Sequence, residues 1–369
     1  MKYFFNIYII YFFLLPIFFL FDFSNFSISY FFILSIFVFF LVGLNLRWNR
    51  DANVRSSKYS ILHINVFYFY LFFCLYFVDF TTHFDTLVSI YNGEYFKAGI
   101  EKSIERYNYE TKPSLLSQFS TIFYFCFCYF LGVVLSAAAN TIHKKIFYIF
   151  LWIVLAVFET STLSRASLVL GITGFATTFL YNYRYEFPKI SILKIHIYFV
   201  LTLVVLVVVF SISAFGRVSN SENAIDIVLE KMSSYTIAMY EALLLWVNKF
   251  DFSSIKFGVN TFTFLPKLFG VKFESGFYLL TDTKFGETNI YTFIRGIIED
   301  FSLFSVFIFF LMGLQLNLLD TKLKPTKLFI FFNLWVVNFF MYPMISIFNF
   351  TTYFLGYLIF TFLVKLKNI

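Results

Sequence analysis

The 369-residue chain is 60% hydrophobic, 25% aromatic and only 13% charged, against about 25% charged in an ordinary soluble domain. That composition excludes a soluble enzyme and marks an integral membrane protein. The net charge of +7 does not indicate nucleic acid, because membrane proteins gather Lys and Arg in cytoplasmic loops for topological reasons.

A helix needs about 20 apolar residues to cross roughly 30 Å of hydrocarbon. On that ruler the chain divides into about ten predicted spans, making an all-α polytopic membrane protein. They run from about Tyr3 to Phe21, Phe26 to Leu46, Ile61 to Val78, Leu115 to Ala139 and Ile146 to Leu163. The remaining five run from Ala166 to Tyr183, Ile195 to Ala214, Phe301 to Leu319, Lys327 to Pro343 and Ile345 to Val364. The first run follows Lys2 closely, lacks a small-residue cleavage site and leads into a second span, so it is expected to be a membrane helix rather than a removed signal peptide. Cys74, Cys126 and Cys128 lie within apolar runs. A Cys-x-Cys pair in a helix sends its sulfurs to different faces, and all three are read as inert core residues. The 61 Phe residues are read as compositional drift.

Orientation follows from the basic residues. Connections predicted on one side hold 15 of the 28 Lys and Arg and three of the 21 Asp and Glu residues. Each of those connections is short and basic, the form in which the positive-inside rule operates. Both termini are therefore expected in the cytoplasm. Two long connections face outward, 80–114 and 215–300. In the second, Ile225, Val228, Leu229, Met232, Met239, Leu243, Trp246 and Val247 recur near helical spacing. This predicts an amphipathic helix over about 225–247 at the outer interface.

The chain has no Gly-x-x-x-x-Gly-Lys-Ser/Thr loop, no Gly-x-Gly-x-x-Gly fingerprint and no His-Glu-x-x-His helix. ATP hydrolysis, dinucleotide chemistry and zinc proteolysis are excluded as readings, and no metal or cofactor is expected. Of four histidines only His83 is placed outward, and it is read as structural.

Three outward arginines carry the functional expectation. Arg165 lies in the polar turn Glu159-Thr160-Ser161-Thr162-Leu163-Ser164-Arg165, Arg217 opens the long loop and Arg295 stands near its close. An arginine at a membrane boundary is costly without a partner, and its planar fork grips phosphate or carboxylate oxygens bidentately. A pyrophosphate is the natural ligand. Glu159, Glu299 and Asp300 are carboxylates beside these arginines, suited to taking a proton from a sugar hydroxyl. The competing structural reading places Glu299 and Asp300 at a helix N-terminus, where the macrodipole favours acids.

Ser-Arg-Ala-Ser at 164–167, and Thr-Asn-Ile-Tyr-Thr at 288–292 followed by Glu-Asp-Phe-Ser at 299–302, resemble motifs of the O-antigen polymerases of the Wzy type. In that family a Ser-Arg-Gly or Ser-Arg-Ala turn joins two spans, and an Asn-x-Tyr-Thr segment leads into Asp-Phe-Gly. The resemblance implies a bacterial inner-membrane glycosyltransferase of lipopolysaccharide or related polysaccharide biosynthesis. Its substrates would be undecaprenyl-pyrophosphate-linked oligosaccharide repeat units within membrane lipid, and a chain-length regulator is an implied partner. It further implies that Arg165, Arg217 and Arg295 hold the departing pyrophosphate, that Asp300 or Glu299 orients or deprotonates the acceptor, and that Glu159, Asn289 and Tyr291 line the substrate site. Ser302 stands where the family has Gly, Ala166 where Gly is common, and the family's Arg-x10-Gly loop pattern is absent. O-antigen ligases share the plan but carry a His in the large outer loop, and 215–300 has none. A flippase or exporter would set charges along a path through the membrane, whereas here they gather at the outer ends.

Overall fold

A computed structural model of the protein describes residues 2–20, 28–46, 60–95, 97–99, 114–137, 141–159, 165–183, 237–253, 255–256, 258–262, 281–288, 292–318, 326–341 and 350–368. In chain order, α1 (Lys2–Ile9) passes through a π-helical turn (Ile10–Leu14) into α2 (Leu15–Phe19), and α3 (Ile28–Asn45) follows. Next come β1 (Ser60–His63), α4 (Val66–Tyr76), α5 (Phe80–Tyr91), α6 (Leu115–Ser136), α7 (Ile142–Glu159) and α8 (Arg165–Tyr183). The chain continues with α9 (Ala238–Val247), β2 (Thr281–Thr283), β3 (Gly286–Thr288), α10 (Phe293–Phe301) and a 3-10 turn (Ser302–Phe304). It closes with α11 (Ser305–Leu318), α12 (Lys327–Met341), α13 (Thr351–Leu363) and β4 (Lys365–Asn368).

The protein is mostly helical, and three described helices are long and apolar enough to cross a membrane: Ile28–Asn45, Leu115–Ser136 and the run Phe293–Leu318. The last begins eight residues before the predicted start at Phe301, which lifts Arg295, Glu299 and Asp300 out of the loop and onto a helix. The predicted span Ile61 to Val78 divides into β1 and the 11-residue α4. The reason is local: the backbone of Asn65 is extended and its side chain accepts the Phe67 N–H at 3.0 Å, starting a helix there. Helix α5 leaves α4 at a bend of 74°, with Asp79 buried at the turn. The predicted span Ile195 to Ala214 and residues 225–236 of the amphipathic segment lie outside the described residues. Two short antiparallel ribbons, β1 with β4 and β2 with β3, accompany the helices; a period-2 signal of three or four residues is too brief to read in an apolar sequence.

The chain divides into two compact units. Unit 1 comprises Met1–Tyr59, Arg184–Val204 and Leu229–Asn349. Its described core is aromatic: Phe340 lies 4.4 Å from Phe40, 5.5 Å from Phe293 and 5.9 Å from Phe5, centroid to centroid. Helices α3 and α11 pack backbone to backbone. A side chain on Gly43 would strike the Phe310 carbonyl, and one on Gly313 would strike the Phe40 carbonyl. Small residues at such a crossing replace the hydrophobic drive that lipid removes, because close approach maximises dispersion contact. Asn317 closes the crossing by donating to the Leu46 carbonyl at 2.8 Å.

Unit 2 comprises Ser60–Tyr183, Val205–Val228 and Phe350–Ile369, and α6 runs through its centre. Gly132 on α6 admits α8, and Thr178 of α8 donates to the Tyr129 carbonyl at 2.8 Å. Gly356 of α13 lies against Phe125 and Ile122, with the Cys126 thiol donating to its carbonyl. Cys126 and Cys128 are buried, and all three cysteines are free thiols. The Asn182 side chain clasps the ribbon by accepting the Leu62 N–H at 2.7 Å and donating to the Leu62 carbonyl at 3.0 Å. His83 is buried, with Nε2 3.1 Å from both the Tyr76 carbonyl and the Ser120 hydroxyl. That is a core role.

Candidate anion-binding site

Helix α10 positions the predicted residues of unit 1. Phe293, Ile294, Ile297 and Ile298 bury one face of it, while Arg295 and Glu299, four residues apart, share the less buried face. Residues at i and i+4 are neighbours on a helix, and here they pair: the Arg295 Nε–H donates to Glu299 Oε1 at 2.8 Å. Both side chains are nearly enclosed, 13% and 12% exposed, so solvent screens this pair less than a surface one. The Trp246 ring of α9 lies under the guanidinium, 4.6 Å from its central carbon. Stacking on an indole contributes about 0.5–2 kcal/mol. Together, ion pair and ring restrain the guanidinium.

Helix α9 is the described half of the predicted interfacial helix. Met239, Tyr240, Ala242, Leu243, Leu244 and Val247 are all buried, so its apolar stripe packs within unit 1. Glu241, off that stripe, accepts the Lys284 N–H of the β2–β3 turn at 2.9 Å. Trp246 continues into an aromatic run, with Phe250 at 4.6 Å and Phe252 a further 5.0 Å on.

Asp300 has a different occupation from its neighbour. It is fully buried, and its carboxylate accepts the backbone N–H of Asn260 at 2.9 Å and of Thr261 at 2.6 Å. Its own carbonyl accepts the Lys256 N–H at 3.0 Å. Asp300 therefore fastens segment 256–261 to α10, and Gly258 gives that segment its turn at φ +88°. Each oxygen accepts from one backbone amide away from solvent, which is an anchoring arrangement; the Asp300→Asn variant separates anchoring from the expected deprotonation of an acceptor. The helix-terminus reading reverses. Glu299 and Asp300 sit at the C-terminal end of α10, where the macrodipole opposes acids, so Arg295 and the loop amides must hold them.

Ser302 follows at φ +53°, ψ −131°. Glycine adopts this region freely and a residue with a Cβ adopts it at a cost of about 1–3 kcal/mol. The serine hydroxyl donates to the Phe252 carbonyl, returning about 0.5–1.5 kcal/mol. Beside it, Asp251 accepts the N–H and hydroxyl of Ser253, which hold its carboxyl below the usual range. Removing the hydroxyl while keeping the Cβ keeps the strain and loses the bond, so Ser302→Ala is expected to melt below the parent. Ser302→Gly relieves the strain as it loses the bond and is expected to melt above Ser302→Ala. Thermal unfolding of the two purified variants checks the order.

Of the other predicted site residues, Arg165 opens α8 and Glu159 closes α7, both in unit 2. Arg217, Asn289 and Tyr291 lie outside the described residues, as does the side chain of Arg165. Within unit 1 the structure thus joins Arg295 to Glu299 and to Trp246, a partner that sequence reasoning had assigned to an interfacial stripe. Among the described residues no group of three or more His, Cys, Asp or Glu is placed to hold a metal ion. Comparison with protein-family models, with curated proteins and with solved structures returns no match.

Proposed function

We propose that the protein is a membrane glycosyltransferase of the O-antigen polymerase type. It joins undecaprenyl-pyrophosphate-linked repeat units at the outer face of a bacterial inner membrane. The observation that carries this reading is the Arg295 guanidinium, over the Trp246 ring and bonded to Glu299, in a segment whose Thr-Asn-Ile-Tyr-Thr and Glu-Asp-Phe-Ser motifs resemble that family. A restrained guanidinium suits the charge that develops on a leaving pyrophosphate. In this reading the reducing end of one glycan leaves its pyrophosphate and is transferred to a hydroxyl of the incoming repeat unit, without nucleotide or metal. Glu299 is the counter-ion that sets the arginine fork, and the groove lined by Phe39, Leu303, Phe304 and Phe307 is assigned to the polyprenyl chain. The ten-span topology, with both termini cytoplasmic, belongs to the same proposal, as does a chain-length regulator as partner.

Deletion of the gene followed by electrophoresis of the surface glycan tests it. The expected result is single repeat units on their acceptor. A complete absence of units would point to a ligase or a flippase instead, and an unchanged ladder would remove the reading altogether.

A further inference from the structure

Helix α5 of unit 2 is amphipathic in the reverse sense of a helix that packs in water. Its inward residues are polar: Asp79 at its start, His83 and Thr86 are buried. Its outward residues are apolar. Phe80, Phe84, Leu87, Val88 and Tyr91 are all exposed, Phe80 by 67% and Tyr91 by 91%. At 3.6 residues per turn these five fall within an arc of roughly 100°. Thr81 and Asp85, exposed as well, flank that arc on the side away from His83. The helix therefore has three sectors, one against protein, one apolar and one polar.

Hydrogen bonds hold this roll in place. His83 Nε2 lies 3.1 Å from both the Tyr76 carbonyl and the Ser120 hydroxyl, and its ring is enclosed by Tyr76, Phe77 and Phe158 at 4.5, 5.4 and 5.3 Å. Gly93 ends the helix at φ +72°, and the Glu94 N–H returns to the Ser89 carbonyl at 2.8 Å. Just beyond, Tyr95 donates to the Val157 carbonyl of α7 at 2.7 Å. Rolling the apolar sector inward would part His83 from both of its partners.

The level of α5 follows from its neighbours. Helix α6 has 22 residues, about 33 Å at 1.5 Å each, enough to cross the hydrocarbon layer. Helix α4 runs antiparallel along it, Tyr68 meeting Phe130 and Tyr76 meeting Tyr124. Ser120, which receives His83, is the sixth residue of α6, about 8 Å along the axis from Leu115. There the chain bends by 74° into α5, which turns it from the direction of α6 toward the membrane plane. Interfacial helices sink an apolar face about 5–10 Å into the boundary of headgroups and acyl chains, and α5 sits at that level.

Lipid fits the apolar sector better than protein or an anion does. The exposed apolar surface continues round the bend onto α4 through Val78, Tyr70 and Phe67. Helix α5 carries no Lys or Arg, so nothing on it would hold an acidic headgroup or an acidic segment. Its one acidic side chain, Asp85, stands in the polar sector. We propose that α5 is an in-plane membrane helix, docking its Phe80, Phe84, Leu87, Val88 and Tyr91 face on lipid acyl chains while Thr81 and Asp85 stay in water. It thereby holds unit 2 at a fixed depth. The inference rests on unit 2 alone and stands whether or not the protein is a polymerase.

The test uses the full chain in phosphatidylcholine nanodiscs. Cys74→Ala removes the exposed thiol, Cys126 and Cys128 being buried, and single nitroxide labels enter through Phe80→Cys, Phe84→Cys, Leu87→Cys, Tyr91→Cys and Asp85→Cys. Collisions with oxygen, which partitions into lipid, and with a nickel chelate, which stays in water, report the surroundings of each label. Oxygen is expected to dominate at the four apolar positions and nickel at Asp85, with the labels at Phe80 and Tyr91 equally deep. Replacing part of the lipid by phosphatidylglycerol should change none of this. Each variant should also melt with the Cys74→Ala parent, because every labelled side chain is exposed. Nickel dominance at the apolar positions overturns the proposal in favour of a face in water. Immobile labels reached by neither reagent, or labels that lower the melting temperature, overturn it in favour of a face covered by protein. A depth that changes by roughly 16 Å from Phe80 to Tyr91 overturns the in-plane orientation, and a dependence on phosphatidylglycerol overturns docking on acyl chains.

Discussion

Asp300→Asn is expected to destabilise the protein by roughly 2–4 kcal/mol, the cost of taking one charge from a buried hydrogen-bonded arrangement and leaving a donor unmatched. The carboxylate accepts from two backbone amides, Asn260 and Thr261, and hydrogen bonds to an ionised acceptor are the stronger kind. Asparagine keeps one oxygen and turns an amine toward the other N–H. Two donors then face each other in a site with no solvent, because Asp300 is fully buried. The damage should be local first: segment 256–261 detaches from α10, and proteolysis near Lys256 should accelerate before global unfolding does. The same variant separates two roles for Asp300. An anchoring residue loses activity in proportion to the folded fraction. A catalytic base loses it completely while the protein remains folded, and that outcome would support the role expected from the sequence.

Asp300 also shows where the sequence stops being readable. Composition and long apolar runs specified a helical membrane protein because burial in lipid demands about 20 apolar residues in succession, and Leu115 to Ala139 matches α6 (Leu115–Ser136) within three residues. The start of α10 was not readable in the same way. Arg295, Glu299 and Asp300 lower the local hydropathy enough to look like loop, yet each has a hydrogen-bond partner inside the fold, and the helix extends back to Phe293. The acids were assigned to a helix N-terminus by a rule that depends on knowing where the helix begins. Trp246 was visible as one member of an apolar stripe, but its contact with Arg295 spans 49 positions in the chain and has no local signature. Asn260 and Thr261 were less visible still, because their contribution is backbone N–H, which every residue but proline has. Ser302 is the contrary case. Its departure from the family's glycine was legible in the sequence, and the positive φ at that position gives the physical reason why glycine would be favoured there.

Arg295→Lys is expected to reduce polymer formation by about 10²-fold, the scale seen when one preorganised donor to a developing anion is lost, while leaving protein abundance unchanged. Lysine keeps the charge and loses the planar fork and the stacking surface. Its ammonium can still reach Glu299, so the fold has no reason to fail. Two further variants show which feature matters. Trp246→Leu keeps guanidinium and ion pair but removes the ring 4.6 Å away, and is expected to cost about tenfold, in keeping with a cation–π term of about 0.5–2 kcal/mol. Glu299→Gln removes the negative charge that competes with an anionic ligand for Arg295. If Glu299 is only the counter-ion, the glutamine variant should bind a pyrophosphate probe at least as tightly as the parent and retain most activity. If Glu299 is the base, that variant should bind normally and turn over nothing. Binding of inorganic pyrophosphate, read beside polymer length in the same three variants, therefore assigns the carboxylate. Unchanged polymer in Arg295→Lys would dismiss the anion clamp itself, because a site that tolerates a point charge in place of a planar fork is not using the geometry that Trp246 and Glu299 impose.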